Sequence, residues 1–267
     1  MKVMQNEIET TLIIDAVKQI GKQFLDNYKK KEIPKTKDAF LTQLEEIETT
    51  CFNFLKPLIN QHYPHIPWVA DDEFDPTAQL QPADYEQYWL CDTMDGAVQY
   101  IQHLPGWTIN LVLIRNGQPY FSVIYDPICD EVFSARQSAG AYLNGSRIKT
   151  GVKADTDVMV AVFEYGHQAK NTSNFEQKIA SSVAHLIKTF GVVRNYGPHA
   201  LQLAHVGAGR IDLFLQEDLD THNWLAGMLI AQEAGAELLT SDGQPWMWGT
   251  ENLLVARKEI AALYLAS

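Results

Sequence analysis

The sequence predicts a mixed α/β fold in two halves, an α+β half over residues 1–150 and an α/β half over residues 151–267. Three observations lead there. Residues 9–62 carry apolar side chains at helical spacing. Residues 67–145 break into short apolar runs separated by turn dipeptides, Asn116-Gly117 and Asn144-Gly145, the pattern of an antiparallel meander. Beyond residue 157 strand-like and helix-like runs alternate, which makes the second half α/β.

Leu12, Ile13, Ala16, Val17, Ile20, Phe24 and Leu25 form one apolar stripe on a helix expected over residues 9–28. Lys29-Lys30-Lys31 ends it, where cations complement the helix dipole. A second helix is expected over residues 39–62, apolar at Phe40, Leu41, Leu44, Ile47, Phe52, Phe54, Leu55 and Leu58, with Glu45, Glu46 and Glu48 as charged decoration. Pro64 and Pro67 break it and open a strand over residues 67–70 that runs into Asp71-Asp72-Glu73. Residues 88–91 are an apolar run of buried-strand type ending in Asp92 and Asp95, followed by Gly96 and a short helical start at residues 97–101. Strands at residues 107–115 and 120–125 flank Asn116-Gly117, and residues 131–136 pair with 141–143. Composition shifts at residues 150–157, the expected boundary between the halves. After it, strands at 158–163, 191–195, 211–215, 237–239 and 253–256 alternate with helices over 174–189, 197–209, 224–234 and 258–265.

With 46% hydrophobic and 20% charged residues in 267, the chain has the composition of an ordinary globular protein. Its net charge of −12 argues against nucleic acid as a partner, and an anionic substrate would need a cation to screen it. Cys51, Cys91 and Cys129 contain no CxxC pair, so neither a thiolate zinc site nor a disulfide framework is expected. Residues 1–11 are polar with no signal-like apolar core, and no stretch reaches the ~18 apolar residues of a membrane span. A cytoplasmic location with no membrane contact is the expectation.

The chemistry concentrates at Asp92-Thr93-Met94-Asp95-Gly96-Ala97. Two carboxylates delivered by a strand end suit a hard cation, and the unpaired N–H groups of a helix start suit a phosphate. Acidic residues recur at Asp71-Asp72-Glu73 and over residues 217–220. Three acidic strand ends fit an oxygen-ligand site for Mg²⁺, but acids also cap turns and helices, and the pattern alone leaves both readings open.

Trp89-Leu90-Cys91-Asp92-Thr93-Met94-Asp95-Gly96 resembles the W-x-x-D-P-[IL]-D-G-T signature of the inositol monophosphatase family. In order along the chain, Trp68-Val69-Ala70-Asp71-Asp72 resembles its strand ending in Gly-Glu-Glu, and Val123-Ile124-Tyr125-Asp126-Pro127 its hairpin strand. Gly140-Ala141-Tyr142-Leu143-Asn144-Gly145 resembles its G-A-x-x-N-G segment, and Arg194, Gly197 and Ala208-Gly209-Arg210-Ile211-Asp212 its second-half core. The run from Ala226-Gly227 to Glu233-Ala234-Gly235 resembles its W-D-x-A-A-G…E-A-G-G helix. The resemblance implies a layered αβαβα sandwich of the inositol monophosphatase and fructose-1,6-bisphosphatase type. It also implies Mg²⁺-dependent hydrolysis of small phosphate monoesters, by a subunit that is often one of a homodimer. It implies that Asp71, Asp92 and Asp95 are catalytic metal ligands, joined by the main-chain carbonyl of Thr93 and by Asn223. It implies that the N–H groups of Gly96 and Ala97 grip the phosphate and that Gln216 touches the substrate.

Four positions depart from that pattern. Asp71 stands for Glu, Ala97 for the Thr whose hydroxyl aligns the attacking water, Asn223 for a metal-binding Asp, and Gln216 for a substrate-contacting Glu. Glu48 falls near a helix position where the family has an activating Asp, His199 and His222 mark a changed site, and Asp218 or Asp220 is placed to supply the charge Asn223 lacks. Two readings follow. One is a Mg²⁺-dependent phosphatase of an inositol, sugar or polyol phosphate. The other is a catalytically impaired relative that binds a phosphorylated ligand or a partner. A bisphosphate nucleotidase is less favoured, since no second basic cluster lies near the motifs.

Overall fold

A computed structural model describes residues 8–69, 77–165 and 174–267. In chain order the first half contains α1 (Thr10–Asn27), α2 (Lys37–Asn60), β1 (Trp68–Val69), β2 (Gln87–Asp95), α3 (Ala97–Ile101), β3 (Thr108–Arg115), β4 (Gln118–Asp126), β5 (Glu131–Arg136), β6 (Gly140–Leu143) and β7 (Ser146–Ile148). The second contains β8 (Val160–Tyr165), α4 (Phe175–Thr189), β9 (Val192–Arg194), α5 (His199–Gly207), β10 (Leu213–Glu217), α6 (Thr221–Glu233), β11 (Glu237–Leu239), β12 (Asn252–Ala256) and α7 (Lys258–Ala266).

Strands β1 to β7 form one sheet in sequence order, and the other sheet runs β11-β12-β10-β8-β9. The layers follow from which faces are apolar. Ile13, Val17, Ile20 and Phe24 of α1 and Ile47, Cys51, Leu55 and Ile59 of α2 pack on the Trp89, Leu111 and Val123 face of the first sheet. Its opposite face, with Leu90, Val112 and Ile124, receives Ala200, Ala204, Leu225 and Leu229 of α5 and α6. The other sides of α5 and α6 meet Val162, Phe214 and Val255 of the second sheet, and Leu186 of α4 with Ile260 and Tyr264 of α7 cover that sheet's far face. This is the layered αβαβα sandwich. Helix α6 lies in the middle layer, which explains why residues 221–231 are all buried and why it lacks a polar stripe.

Local differences from the sequence reading have physical causes. The meander is not wholly antiparallel, because β1 pairs with β2 in parallel. Strand β7 is an extra edge strand beyond Asn144-Gly145, too short and polar to signal itself. The strand expected at residue 158 begins at Val160, since residues 156–158 form a 3₁₀ turn capped by the Asp155 side chain. Helix α6 begins at Thr221, three residues before the apolar run, and so takes His222 and Asn223 into its first turn.

Helices α5 and α6 cross at Gly227. A β-carbon there would lie 2.5 Å from Leu203 Cβ and 2.7 Å from the Ala200 carbonyl oxygen. Gly227→Ala is therefore expected to cost about 1–3 kcal/mol through overpacking, seen as a melting temperature lowered by roughly 3–10 °C. An unchanged melt would mean the crossing has slack.

Candidate active site

Strand β2 carries its ladder through both aspartates. Asp92 pairs with Asn110 of β3 and Asp95 with Thr108, so the stretch between them holds one residue more than its partner and forms a bulge. That bulge aims both carboxylates to the same side and takes Thr93 and Met94 out of register. Gly96 then adopts φ +85° and caps α3; a side chain there would meet the Gly106 carbonyl oxygen at 2.6 Å. Ala97 opens α3, whose first-turn N–H groups have no partner within the helix.

Asn110 joins the two acids. Its Nδ2 donates to Asp92 Oδ2 and to Asp95 Oδ2, each at 3.3 Å, while its Oδ1 accepts from Thr108 Oγ1 at 2.9 Å. Sequence reasoning did not single out Asn110, although a lone amide in the apolar run of β3, directly opposite Asp92, was the available signal. Asp92 also faces α6 across a narrow pocket of about 10 Å³ lined by Asn110, His222 and Asn223 over an apolar floor of Leu90, Val112 and Ala226. That is close to the least volume a single water-sized occupant needs.

Asp95 is turned toward α5 instead. Its Oδ2 accepts from the Ala200 N–H at 2.8 Å and its Oδ1 from the His199 N–H at 3.3 Å, so it caps the N-terminus of that helix. Burial pushes its pKa up to about 6, against the nearby positive charge of His199.

Beside it lies a buried cluster. His199 Nδ1 is 3.0 Å from Asp220 Oδ2, and its Nε2 is 3.8 Å from Glu164 Oε2. Burial alone would depress the imidazole, but Asp220, Asp95 and Glu164 more than offset it and raise the pKa to about 9. Asp220 is held below the usual carboxylate range: its burial is outweighed by His199 and by the amides of Gln216 and Asn223, each donating at 2.8 Å. Glu164 in turn accepts from the Gly197 N–H at 2.8 Å, from Gln202 Nε2 at 2.6 Å and from Asn195 Nδ2 at 3.0 Å, which fixes the turn leading into α5.

These contacts bear on three expectations. Gln216, expected at the substrate, is fully buried; its Nε2 bonds Asp220 and its Oε1 accepts from Trp224 Nε1 at 2.6 Å, so both ends serve the fold. Asp95, expected as a metal ligand, spends its oxygens on three N–H donors. Asp220, a candidate to replace the charge missing at Asn223, accepts from the amides of Gln216 and Asn223 and lies 3.0 Å from His199 Nδ1. Glu217 lies apart, paired with Lys178 Nζ at 2.7 Å and Ser182 Oγ at 2.7 Å. Asp71, with Asp72 and Glu73, lies outside the described residues.

For a cation the two corners differ. The Asp92 pocket is lined by Asp92 and Asn223, both of which carry hard oxygen atoms; Asn223 Nδ2 is used on Asp220, so Oδ1 is the atom it would offer a cation. This corner fits one hard cation. The Asp95 carboxylate, by contrast, already accepts from three N–H donors and lies beside the His199 imidazole. Among the described residues no group of three or more His, Cys, Asp or Glu side chains is arranged to hold a metal ion.

Over residues 5–267 the sequence matches the inositol monophosphatase family. The chain belongs to that family. It is 27% identical over 209 residues to Nus factor SuhB of Escherichia coli strain K12, spanning 78% of this chain and 76% of that protein. To an inositol-1-monophosphatase of Rhizobium meliloti it is 29% identical over 166 residues, 62% of this chain and 61% of that one. Its fold superposes on the inositol monophosphatase of Anabaena with a TM-score of 0.76 at 23% identity, covering 97% and 96% of the two chains. Two acids in the family-like motifs are structural. Glu233 accepts from the Ser138 and Gly140 N–H groups at 2.7 and 2.8 Å, tying α6 to the β5–β6 turn. Asp212 holds the Val160 N–H at 2.8 Å and Lys153 Nζ at 2.7 Å.

Proposed function

We propose that the chain is a Mg²⁺-dependent phosphomonoesterase acting on an inositol phosphate or a related sugar or polyol phosphate. The observation that supports this most is the Asp92 pocket, which brings Asp92 of the strand that runs into Gly96 and α3 together with Asn223 of α6. Asp92, the Asn223 Oδ1, the Thr93 carbonyl and Asp71 would hold the ion. When bound, Mg²⁺ polarises the phosphate and lowers the pKa of water. The N–H groups of Gly96 and Ala97 would hold the phosphate oxygens, a task independent of side chain. Asn110 keeps Asp92 oriented, and Asp95 fixes α5 against the site. The protein would work in the cytoplasm as a homodimer; no helix among the described residues is long and apolar enough to cross a membrane.

A second reading is a relative of weakened chemistry that binds a phosphorylated ligand or a partner. Ala97 and Asn223 favour it, and some relatives bear the name Nus factor. A panel of phosphate monoesters assayed with Mg²⁺ and Mn²⁺ decides between them. Metal-dependent phosphate release supports the first reading; no release from any ester, with ligand-dependent thermal stabilisation, supports the second.

Ala97 gives a directional test. Ala97→Thr returns a hydroxyl at the start of α3, able to align the attacking water. It is expected to raise kcat on the order of tenfold, the ~1.4 kcal/mol of one well-made hydrogen bond. A kcat that stays level or falls would show that water is positioned by other groups.

A further inference from the structure

We infer that the crevice between α4 and α7 is a second binding site, for a small organic ammonium ion. The open pocket there measures about 450 Å³, within the ~300–1,000 Å³ range of small-molecule sites. Ser181, Ser182 and His185 of α4 form one wall and Ser241 and Asp242, just beyond β11, a second. Tyr264 and Leu265 in the last turn of α7 form the third. The crevice lies at the carboxyl edge of the second sheet. There β8 and β10 are parallel neighbours whose chains leave in opposite directions, β8 through α4 to β9 and β10 through α6 to β11. Ligands bind outside the strand ends at such a switch point. Successive residues at the end of β10 face opposite ways. Gln216 turns to Asp220 and Trp224 in the middle layer, and Glu217 turns to α4.

The polarity of the lining selects the ligand. Glu217, only 3% exposed, accepts the Ser182 hydroxyl at 2.7 Å and pairs with Lys178 Nζ at 2.7 Å. With its proton committed, Ser182 Oγ has lone pairs alone to offer. His185 is held by its Nε2, which donates to the Tyr264 carbonyl oxygen at 2.8 Å, and by its ring, edge-on to Tyr264 with centroids 4.5 Å apart. A carbonyl only accepts, so Nε2 carries the proton and Nδ1 of the neutral ring is an acceptor. Asp242, whose Oδ1 accepts from Thr240 Oγ1, adds a carboxylate. The last turn of α7 adds the negative end of a helix dipole. No Lys or Arg side chain lines the pocket among the described residues. Acceptors without a cation disfavour an anion such as a phosphate ester. They suit a ligand that brings N–H donors and positive charge, with Tyr264 and Leu265 against its methylenes.

The test is isothermal titration calorimetry of the full-length chain with putrescine, with butanediol as its uncharged isostere and inorganic phosphate as an anion. The variants are Asp242→Asn, which removes the charge, Ser181→Trp, which fills the pocket from an exposed helix position, and Asp92→Asn at the other pocket. Putrescine is expected to bind at one site per chain. Asp242→Asn should weaken it about tenfold or more, the weight of one charged hydrogen bond. Ser181→Trp should abolish binding, and Asp92→Asn should leave it unchanged, so the result stands apart from the metal reading of Asp92. Asp242 is exposed, so its variant carries the test where Ser181→Trp does not fold. No heat from putrescine, or equal binding to Asp242→Asn, Ser181→Trp and the unaltered protein, overturns the inference. Binding lost in Asp92→Asn and kept in the other two variants overturns it as well, by placing the amine at the Asp92 pocket. Butanediol or phosphate bound as tightly as putrescine, and lost in Asp242→Asn and Ser181→Trp, overturns the ammonium assignment.

Discussion

Replacing Asp92 by Asn is expected to abolish metal-dependent phosphate release, with kcat falling on the order of 10³-fold or more while the fold persists. The two side chains have nearly the same shape, so the pocket walls of Leu90, Val112 and Ala226 need not move. What disappears is the negative charge. Asn223 is already neutral and Asp95 is committed to α5, so Asp92 is the charged donor that α6 faces across the pocket. A neutral amide binds a hard divalent cation far more weakly than a carboxylate does. The loss of the several kcal/mol of transition-state stabilisation such an ion supplies sets the size of the effect. Steady-state assays at saturating Mg²⁺, paired with a thermal melt, separate it from misfolding. Turnover retained within tenfold in a folded Asp92→Asn protein would remove Asp92 from the mechanism.

The layers were legible because they depend on patterns that survive without coordinates. The stripe from Ile13 to Phe24 and the Asn116-Gly117 turn each specify their element through local chemistry. The motif around Asp92 and Asp95 was legible for the same reason: strand, carboxylates, glycine and helix start are contiguous. The rest of the site was not, because it is assembled across the chain. Glu164 is 35 residues before His199, and Asp220 is 21 after it. Sequence spacing says nothing about their convergence on one imidazole. Gln216 shows the converse. An amide at a substrate position suggests a ligand contact, but residue 216 lies in a central strand between β8 and β12, where its two polar ends had to find partners within the protein. The sequence leaves His222 and Asn223 ahead of the helix because the apolar run begins at Trp224, and the hydrophobic pattern cannot locate a first turn that is buried yet polar.

Asp220→Asn is expected to destabilise the protein by about 3–5 kcal/mol at neutral pH, the cost of leaving a buried charge without its partner. The chemistry of the neighbours makes the loss larger than that of one ion pair. Asp220 accepts from Gln216 and Asn223 and lies 3.0 Å from His199 Nδ1, and an asparagine offers a single acceptor oxygen while turning its own N–H groups toward donors. The pH profile distinguishes this from simple loss of packing. His199 has a pKa of about 9 in the folded protein against an ordinary 6.5, so its contribution is fully present below pH 6.5 and is lost as pH rises through 9. Asp220 is shifted the other way, and its contribution is present above the ordinary carboxylate range and lost as pH falls through its depressed value. Urea denaturation in the presence of a chelator, so that metal linkage plays no part, should show the unaltered protein losing on the order of 2–3 kcal/mol between neutral and alkaline pH. The Asp220→Asn variant should start lower and be much flatter over that interval, because its histidine no longer has the partner that held its proton. An alkaline slope as steep in the variant as in the unaltered protein would mean that the decline belongs to other groups, and that Asp220 supports α6 through hydrogen bonds rather than through charge.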